Sequence, residues 1–308
     1  KKLSGIEQKK KELENERVLL TKELYEERME DISFEEAEIL DYQQKRFGPN
    51  GDLIIQKRQL IEPVQDQIFS AVQQIAETKK FDLIHTKLDV KFNWEKAHLY
   101  GKAELTLKPY FYNQNILELD ARGMDIAKVQ MISIGDDSLL VTNDLKYEYD
   151  SLKLMIDLVK EYSRNDTINI FIEYTSKPNE LKSGGSAAIR EDKGLYFINE
   201  KGEDKEKPQQ IWTQGETQAN SAWFPTIDAP NQKMTQEIAI TIEEKFKTLS
   251  NGTLTHSEIN GDGTRTDFWE HKKPHAPYLV MMAIGDFAVV KDTWEGMTVD
   301  YYVEKEYE

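Results

Sequence analysis

A change of pattern near residue 82 sets the strongest limit on how this chain can fold. Residues 1–82 hold no Trp, three Gly and two Pro, with 14 basic against 18 acidic side chains. The other 226 (308 minus 82) hold all five Trp, 13 of the 16 Gly and 7 of the 9 Pro, with 26 basic against 38 acidic. Helices suit the first composition, and short strands joined by tight turns suit the second. The expected class is α+β and multidomain: a long antiparallel α-hairpin, a coiled-coil arm, over 1–82, then an antiparallel β-sandwich or saddle over 83–308.

In the arm, Leu3, Ile6, Lys10, Leu13, Arg17, Leu20 and Leu24 recur at alternating spacings of three and four. That is a heptad seam with two basic interruptions. The pattern loosens after Tyr25 and continues through Phe34, Ile39, Tyr42 and Phe47. Gly48-Pro49-Asn50-Gly51-Asp52 then stops the helix, because Pro cannot continue it and Gly and Asn accept left-handed geometry. Leu53, Leu60, Val64, Ile68, Ala71 and Ile75 form a second seam, with a kink expected at Pro63. Helices of these lengths reach roughly 65 and 40 Å. They cannot bury both seams alone, so the arm calls for copies of itself or another protein.

Beyond Phe81, apolar residues alternate with polar ones. Leu88, Val90 and Phe92 do so, as do Ala103, Leu105 and Leu107, then Leu152, Leu154 and Ile156, then Ile168, Ile170 and Ile172. Turn signals separate them, among them Gly135-Asp136-Asp137, Tyr149-Asp150-Ser151 and Arg164-Asn165-Asp166. Ser183-Gly184-Gly185-Ser186 reads as a flexible loop, and 199–209 as an exposed charged one.

A net charge of −16 argues against a nucleic-acid partner, since phosphate recognition runs on surplus Lys and Arg. Without cysteine there is no disulfide, zinc-thiolate site or thiol nucleophile, which fits an oxidising compartment. No apolar run is long enough to span a membrane, and Lys1 opens a charged helical run rather than an apolar signal segment. His271 and His275 are four apart, but Pro274 lies between them and the context reads as a loop entering a strand. His85, His98 and His256 are isolated. No nucleophile elbow, Walker loop or dinucleotide fingerprint is present. The expected catalytic residues and metal ligands in this chain are none.

One segment, 211–252, stands out. It opens as a strand through Trp212-Thr213-Gln214-Gly215-Glu216 and passes Trp223-Phe224-Pro225 and Asp228-Ala229-Pro230 before the next strand. Two apart on an extended backbone, Gln214 and Glu216 point to one face. An amide oxygen beside a carboxylate can accept the hydrogen bonds of a primary ammonium, although such a pair is more often simply solvated. Trp223, Phe224 and Asp228 read as scaffold: aromatic anchors and a turn-capping carboxylate.

Two families are resembled. Residues 20–84, above all the FGPNGDL tip and the PVQDQIFSAVQQIA return, look like the tentacle of the Skp/OmpH-like periplasmic chaperones. There, such arms form trimers around a small β body and enclose unfolded outer-membrane proteins. The resemblance implies a homo-oligomer or an unfolded-protein client, and a periplasmic, cell-envelope or secreted location. The chain lacks that family's first body strand, and the pattern is expected to stop after Phe81-Asp82.

Residues 82–304 resemble the N-terminal β domain of the aminopeptidase N family, zinc exopeptidases of the gluzincin clan. The match runs through Thr213, Gln214, Glu216, Phe224, Pro225, Asp228 and Pro230, with TLSNG (248–252), PYLVMMAIGDF (277–287) and YGKAELTLKP (100–109) in order. It implies that Gln214 and Glu216 are substrate-binding and grip a peptide's free α-amino group. It also implies that zinc is held only by a catalytic domain carrying G-x-M-E-N and H-E-x-x-H, neither of which occurs in these residues. The expected function is therefore substrate recognition for a zinc aminopeptidase, with a chaperone-like arm. The alternative is a non-enzymatic periplasmic holdase or adaptor that oligomerises through the hairpin.

Overall fold

The computed structural model describes residues 2–135, 139–181 and 192–307. It divides between Ile75 and Ala76 into two compact units. The turn residues Asp136 and Asp137 and the 183–186 loop lie outside the described residues.

The first unit holds helices α1 (Lys2–Glu16), α2 (Lys22–Phe47) and most of α3 (Asp52–Thr78). The single helix expected up to Phe47 is broken at residues 17–21. Thr21 is the reason: its hydroxyl accepts the Leu24 amide, and Glu23 sits in the first turn, so α2 begins with its own cap. α1 then folds back antiparallel on α2, as the ion pairs Lys9–Glu35, Lys10–Glu36 and Arg28–Glu16 record. Ile6, Leu13 and Ile32 are buried between the two helices, with Leu20, Tyr25, Met29 and Ile39 packed around them.

The basic interruptions of the seam now have partners. Lys10 reaches across to Glu36, and Arg17 pairs with Glu14 and lies 5.5 Å over the Tyr25 ring. The packed pair is thus α1 with α2, turning at 17–21, where the seams pointed to a helix up to Phe47 against 53–75. Gly48 does end α2, its amide bonding Gln44 O, but at φ −67 it is not left-handed. α3 runs through Pro63 as one continuous helix. Its described residues add no side chain to the buried cluster, and Leu60, Val64 and Ile68 are 74%, 52% and 59% exposed.

The second unit is built on an eight-stranded sheet. Its order is Thr253–Ile259, Thr264–His275, Met234–Glu243, Phe81–Asn93, His98–Pro109, Ile168–Ser176, Met124–Ile134, Leu140–Asp144. Among the described strands, the expected all-antiparallel arrangement fails at one place. Phe81–Asn93 and Met234–Glu243 run parallel, from His85↔Thr235 to Lys91↔Thr241, so the sheet is mixed. These strands are too far apart in sequence to be joined by a hairpin, and the alternation that marks a strand says nothing of its partner's direction.

One face of this sheet is apolar, with Leu88, Val90, Ala103, Leu105, Leu107, Ile168, Ile170, Ile172, Ile238 and Ile240 all buried. The same core takes Leu117, Leu119, Leu154 and Ile156 from a three-stranded sheet (Gln114–Asp120, Lys153–Tyr162, Tyr147–Tyr149). It also takes Leu195, Ile211, Met282 and Ile284 from a four-stranded one (Lys247–Ser250, Met282–Gly285, Gln210–Thr213, Leu195–Ile198). Leu152 breaks the expected alternation. It sits in the turn that Asp150 caps, and is exposed.

Candidate functional site

The strand carrying the singled-out segment is shorter than expected. Gln210–Thr213 pairs with Met282–Gly285 on one side and Leu195–Ile198 on the other, and then ends. Thr213 marks the end by bonding both groups of Met282: its hydroxyl donates to Met282 O at 3.2 Å and accepts from Met282 N at 2.9 Å. Gln214 leaves the sheet, its amide bonding Gly194 O at 2.9 Å, and residues 216–219 form a turn closed by Ala219 N to Gly215 O at 2.9 Å. Strand alternation therefore does not set the directions of Gln214 and Glu216.

A different device does. Gly215 is buried, and a Cβ there would collide with the carbonyl oxygen of Tyr278, so only glycine lets the turn lie this close to the 277–279 helical turn. With Gly215 pressed inward, Gln214 and Glu216 on either side are both exposed. The Glu216 amide donates to Gln214 Oε1 at 3.1 Å, which holds the Gln214 side chain beside Glu216. An amide oxygen has two lone pairs, so Gln214 Oε1 can take a second donor. Among the described residues no cation or donor occupies the Glu216 carboxylate.

The stretch that follows is scaffold. Asn220 is fully buried, and its Nδ2 donates to Pro277 O and Val280 O, both at 2.8 Å, while its Oδ1 accepts from Trp223 Nε1 at 2.8 Å. Trp223 and Phe224 are fully buried. Asp228 takes the Ser221 amide at 2.9 Å, inside the helical turn Asn220–Ala222, and the Asp120 carboxylate takes the Asp228 amide at 2.9 Å. Burial pushes the Asp228 carboxyl above the usual range, while hydrogen bonds from Ser221 and the charge of Arg122 pull it back. Sequence reasoning missed Asn220 and Gly215. Their meaning depends on carbonyls some 60 residues away, which no local pattern signals.

His271 and His275 lie on the strand Thr264–His275, not in a loop, with ring centroids 4.6 Å apart. His275 Nε2 is engaged with Gln236 Oε1 at 3.1 Å, and burial, with His271 and Lys233 nearby, drives its pKa down to about 4. No group of three or more His, Asp or Glu among the described residues could hold a metal ion. This donor set does not fit zinc. A hollow of about 510 Å³ lies against the large sheet, bordered by Lys87, Glu104, Phe171, Glu237, His256 and Phe268; neither Gln214 nor Glu216 lines it.

Residues 82–279 match the Peptidase M1 N-terminal domain. The chain belongs to that family. Zinc in the M1 family belongs to the catalytic domain, which is not among these residues. Residues 1–104 match the outer membrane protein (OmpH-like) family, so that likeness runs past Phe81-Asp82, and 82–104 are shared by both.

Among curated proteins, the chicken (Gallus gallus) transcription initiation factor TFIID subunit 2 is 22% identical over 223 residues, covering 66% of this chain and 19% of that protein. Human (Homo sapiens) glutamyl aminopeptidase is 36% identical over 85 residues, 27% of this chain and 9% of the enzyme. The chain thus spans less than a fifth of the length of these relatives. Among solved structures, the M1 zinc metallopeptidase from Deinococcus radiodurans has a TM-score of 0.58 at 18% identity, covering 72% of this chain and 47% of that one. A mutant of it bound to a Tyr-Ser-Ala substrate gives 0.58 at 17%, with the same coverage. These structures share the fold.

Proposed function

We propose that this chain supplies the amino-terminus-recognising surface of an M1 zinc aminopeptidase, with Gln214 and Glu216 clasping the protonated α-amino group of a peptide. The observation that carries the reading is the Gly215 contact: both flanking side chains are exposed, the Gln214 amide oxygen rests on the Glu216 backbone amide, and no described residue pairs with the Glu216 carboxylate. Charge-assisted hydrogen bonds to an ammonium contribute about 1.5–3 kcal/mol each. Only a free amine satisfies both groups, so the pair acts as a ruler that fixes cleavage to the first peptide bond. Hydrolysis itself would fall to an M1 catalytic domain and its zinc.

The test is kinetic. In a protein carrying this unit with an M1 catalytic domain, Glu216→Ala should lower kcat/KM for aminoacyl substrates about 10- to 150-fold. Unchanged kinetics would remove the role.

A second reading attaches to the helical unit. The exposed Leu60, Val64 and Ile68 on α3, with the OmpH-like match, favour a surface that pairs with further copies or holds an unfolded client in the cell envelope. Sedimentation decides it: a strict monomer that leaves unfolded protein unprotected from aggregation would end this reading.

A further inference from the structure

We propose that Arg122 is the positioning residue of the 214–219 turn, fixing where Gln214 and Glu216 stand by tying together the two chain segments that bracket them. The inference rests on the amine-recognition reading for its functional meaning, but its geometry is independent of it.

Arg122 follows the strand Gln114–Asp120, far from the turn in sequence. Its backbone amide bonds Ser221 O at 2.7 Å, which sets the residue alongside the turn. The guanidinium then reaches two ways. Nη2 donates to Ala219 O at 3.3 Å, at the end of the turn. Nη1 donates to Asp192 Oδ2 at 2.8 Å and Nη2 to Asp192 O at 3.2 Å, two residues before the Gly194 carbonyl that receives the Gln214 amide. One planar fork therefore holds both the entry and the exit of the Gln214–Ala219 stretch, a task for which a flexible ammonium is less suited.

Gly194 completes the junction. It lies at φ +68, and a Cβ there would collide with Ala219 O, the same oxygen that accepts from Arg122. The Arg122 side chain is only 24% exposed, and its Nε is buried without a partner among the described residues. A half-buried guanidinium whose buried Nε–H is unsatisfied is costly. Its retention here is accounted for by the three acceptors it brings together.

The consequence is mechanical. Without the fork, the turn keeps Gly215 against Tyr278 but loses the link between Ala219 and the 192–194 segment. Gln214 and Glu216 then no longer hold one spacing.

The experiment uses the 308-residue chain, labelled for amide exchange and titrated with Tyr-Ser-Ala and with its N-acetylated form. Arg122→Gln should speed exchange at Gln214, Glu216 and Ala219 about tenfold or more while Leu105 in the sheet is unchanged. It should also abolish the preference for the free amine. If exchange and preference both match the wild type, Arg122 has no positioning role.

Should Arg122→Gln also raise exchange at Leu105, Asp192→Asn replaces it. That variant removes the charged anchor while leaving Arg122 itself in place, and carries the same expectation, with the same overturning result. A wild type that does not distinguish the two peptides overturns the amine reading, and the exchange rates then judge Arg122 alone.

Discussion

Gly215 lies with its α-carbon against the carbonyl oxygen of Tyr278, so closely that any side chain would overlap that oxygen. The contact carries no bond, yet it places two exposed side chains. Gly215→Ala should destabilise the β unit by about 1–3 kcal/mol, since the clash is with backbone that cannot swing aside. Urea unfolding reads this directly, and a midpoint equal to the wild type's would show that the turn does not depend on the contact.

Asn220 offers the sharper stability test. Asn220→Leu keeps the volume but strips the Asn220 partner from Val280 O and from the Trp223 indole N–H, and leaves Pro277 O with the Val280 amide alone. The expected loss is about 2–4 kcal/mol. Asn220→Asp keeps the acceptor for Trp223 and loses both donors, so it should rescue little. Equal stability of all three proteins contradicts the hydrogen-bond arrangement.

Acid should weaken the β unit through His275. Burial lowers its pKa to about 4 from the ordinary 6.5, so between those values the unfolded chain holds more protons than the folded one. Stability is therefore full above about pH 6.5 and declines as the pH falls toward 4, by on the order of 2–3 kcal/mol. Burial lowers the His85 pKa as well and adds a slope of the same sign. The decisive measurement is the difference between wild type and His275→Gln across pH 7 to 4; parallel curves would refute the assignment.

In the helical unit, Thr21→Ala should cost about 1 kcal/mol and Thr21→Ser should restore most of it, because the hydroxyl that caps α2 is what matters. Melting followed by helical circular dichroism checks this. If alanine and serine behave alike, the break at 17–21 has another cause.

The strands of the β unit were legible because Leu105, Leu107, Ile170 and Ile172 repeat with period two and every one is buried. Sheet order was not, because alternation fixes which face is inside and leaves the neighbour open. The helical break was missed because Leu20 and Leu24 extend the seam across Thr21, and the cap signal is a single residue. Type and spacing singled out Gln214 and Glu216 on the premise of an extended strand; both are exposed, but the backbone there is a turn, and their role stays a proposal. The turn around Gly215 is tertiary: Tyr278, Asp192 and Arg122 meet it from distant parts of the chain, and no window of sequence contains them together.

The parallel pair has a consequence for how the β unit comes into being. Strand Phe81–Asn93 finds its parallel neighbour only in Met234–Glu243, so on the ribosome its open side waits while some 140 further residues are made. Until then the nascent sheet presents a naked hydrogen-bonding rim, the kind of surface that recruits stray strands. Synthesis cut short before residue 234 would release a fragment built to aggregate.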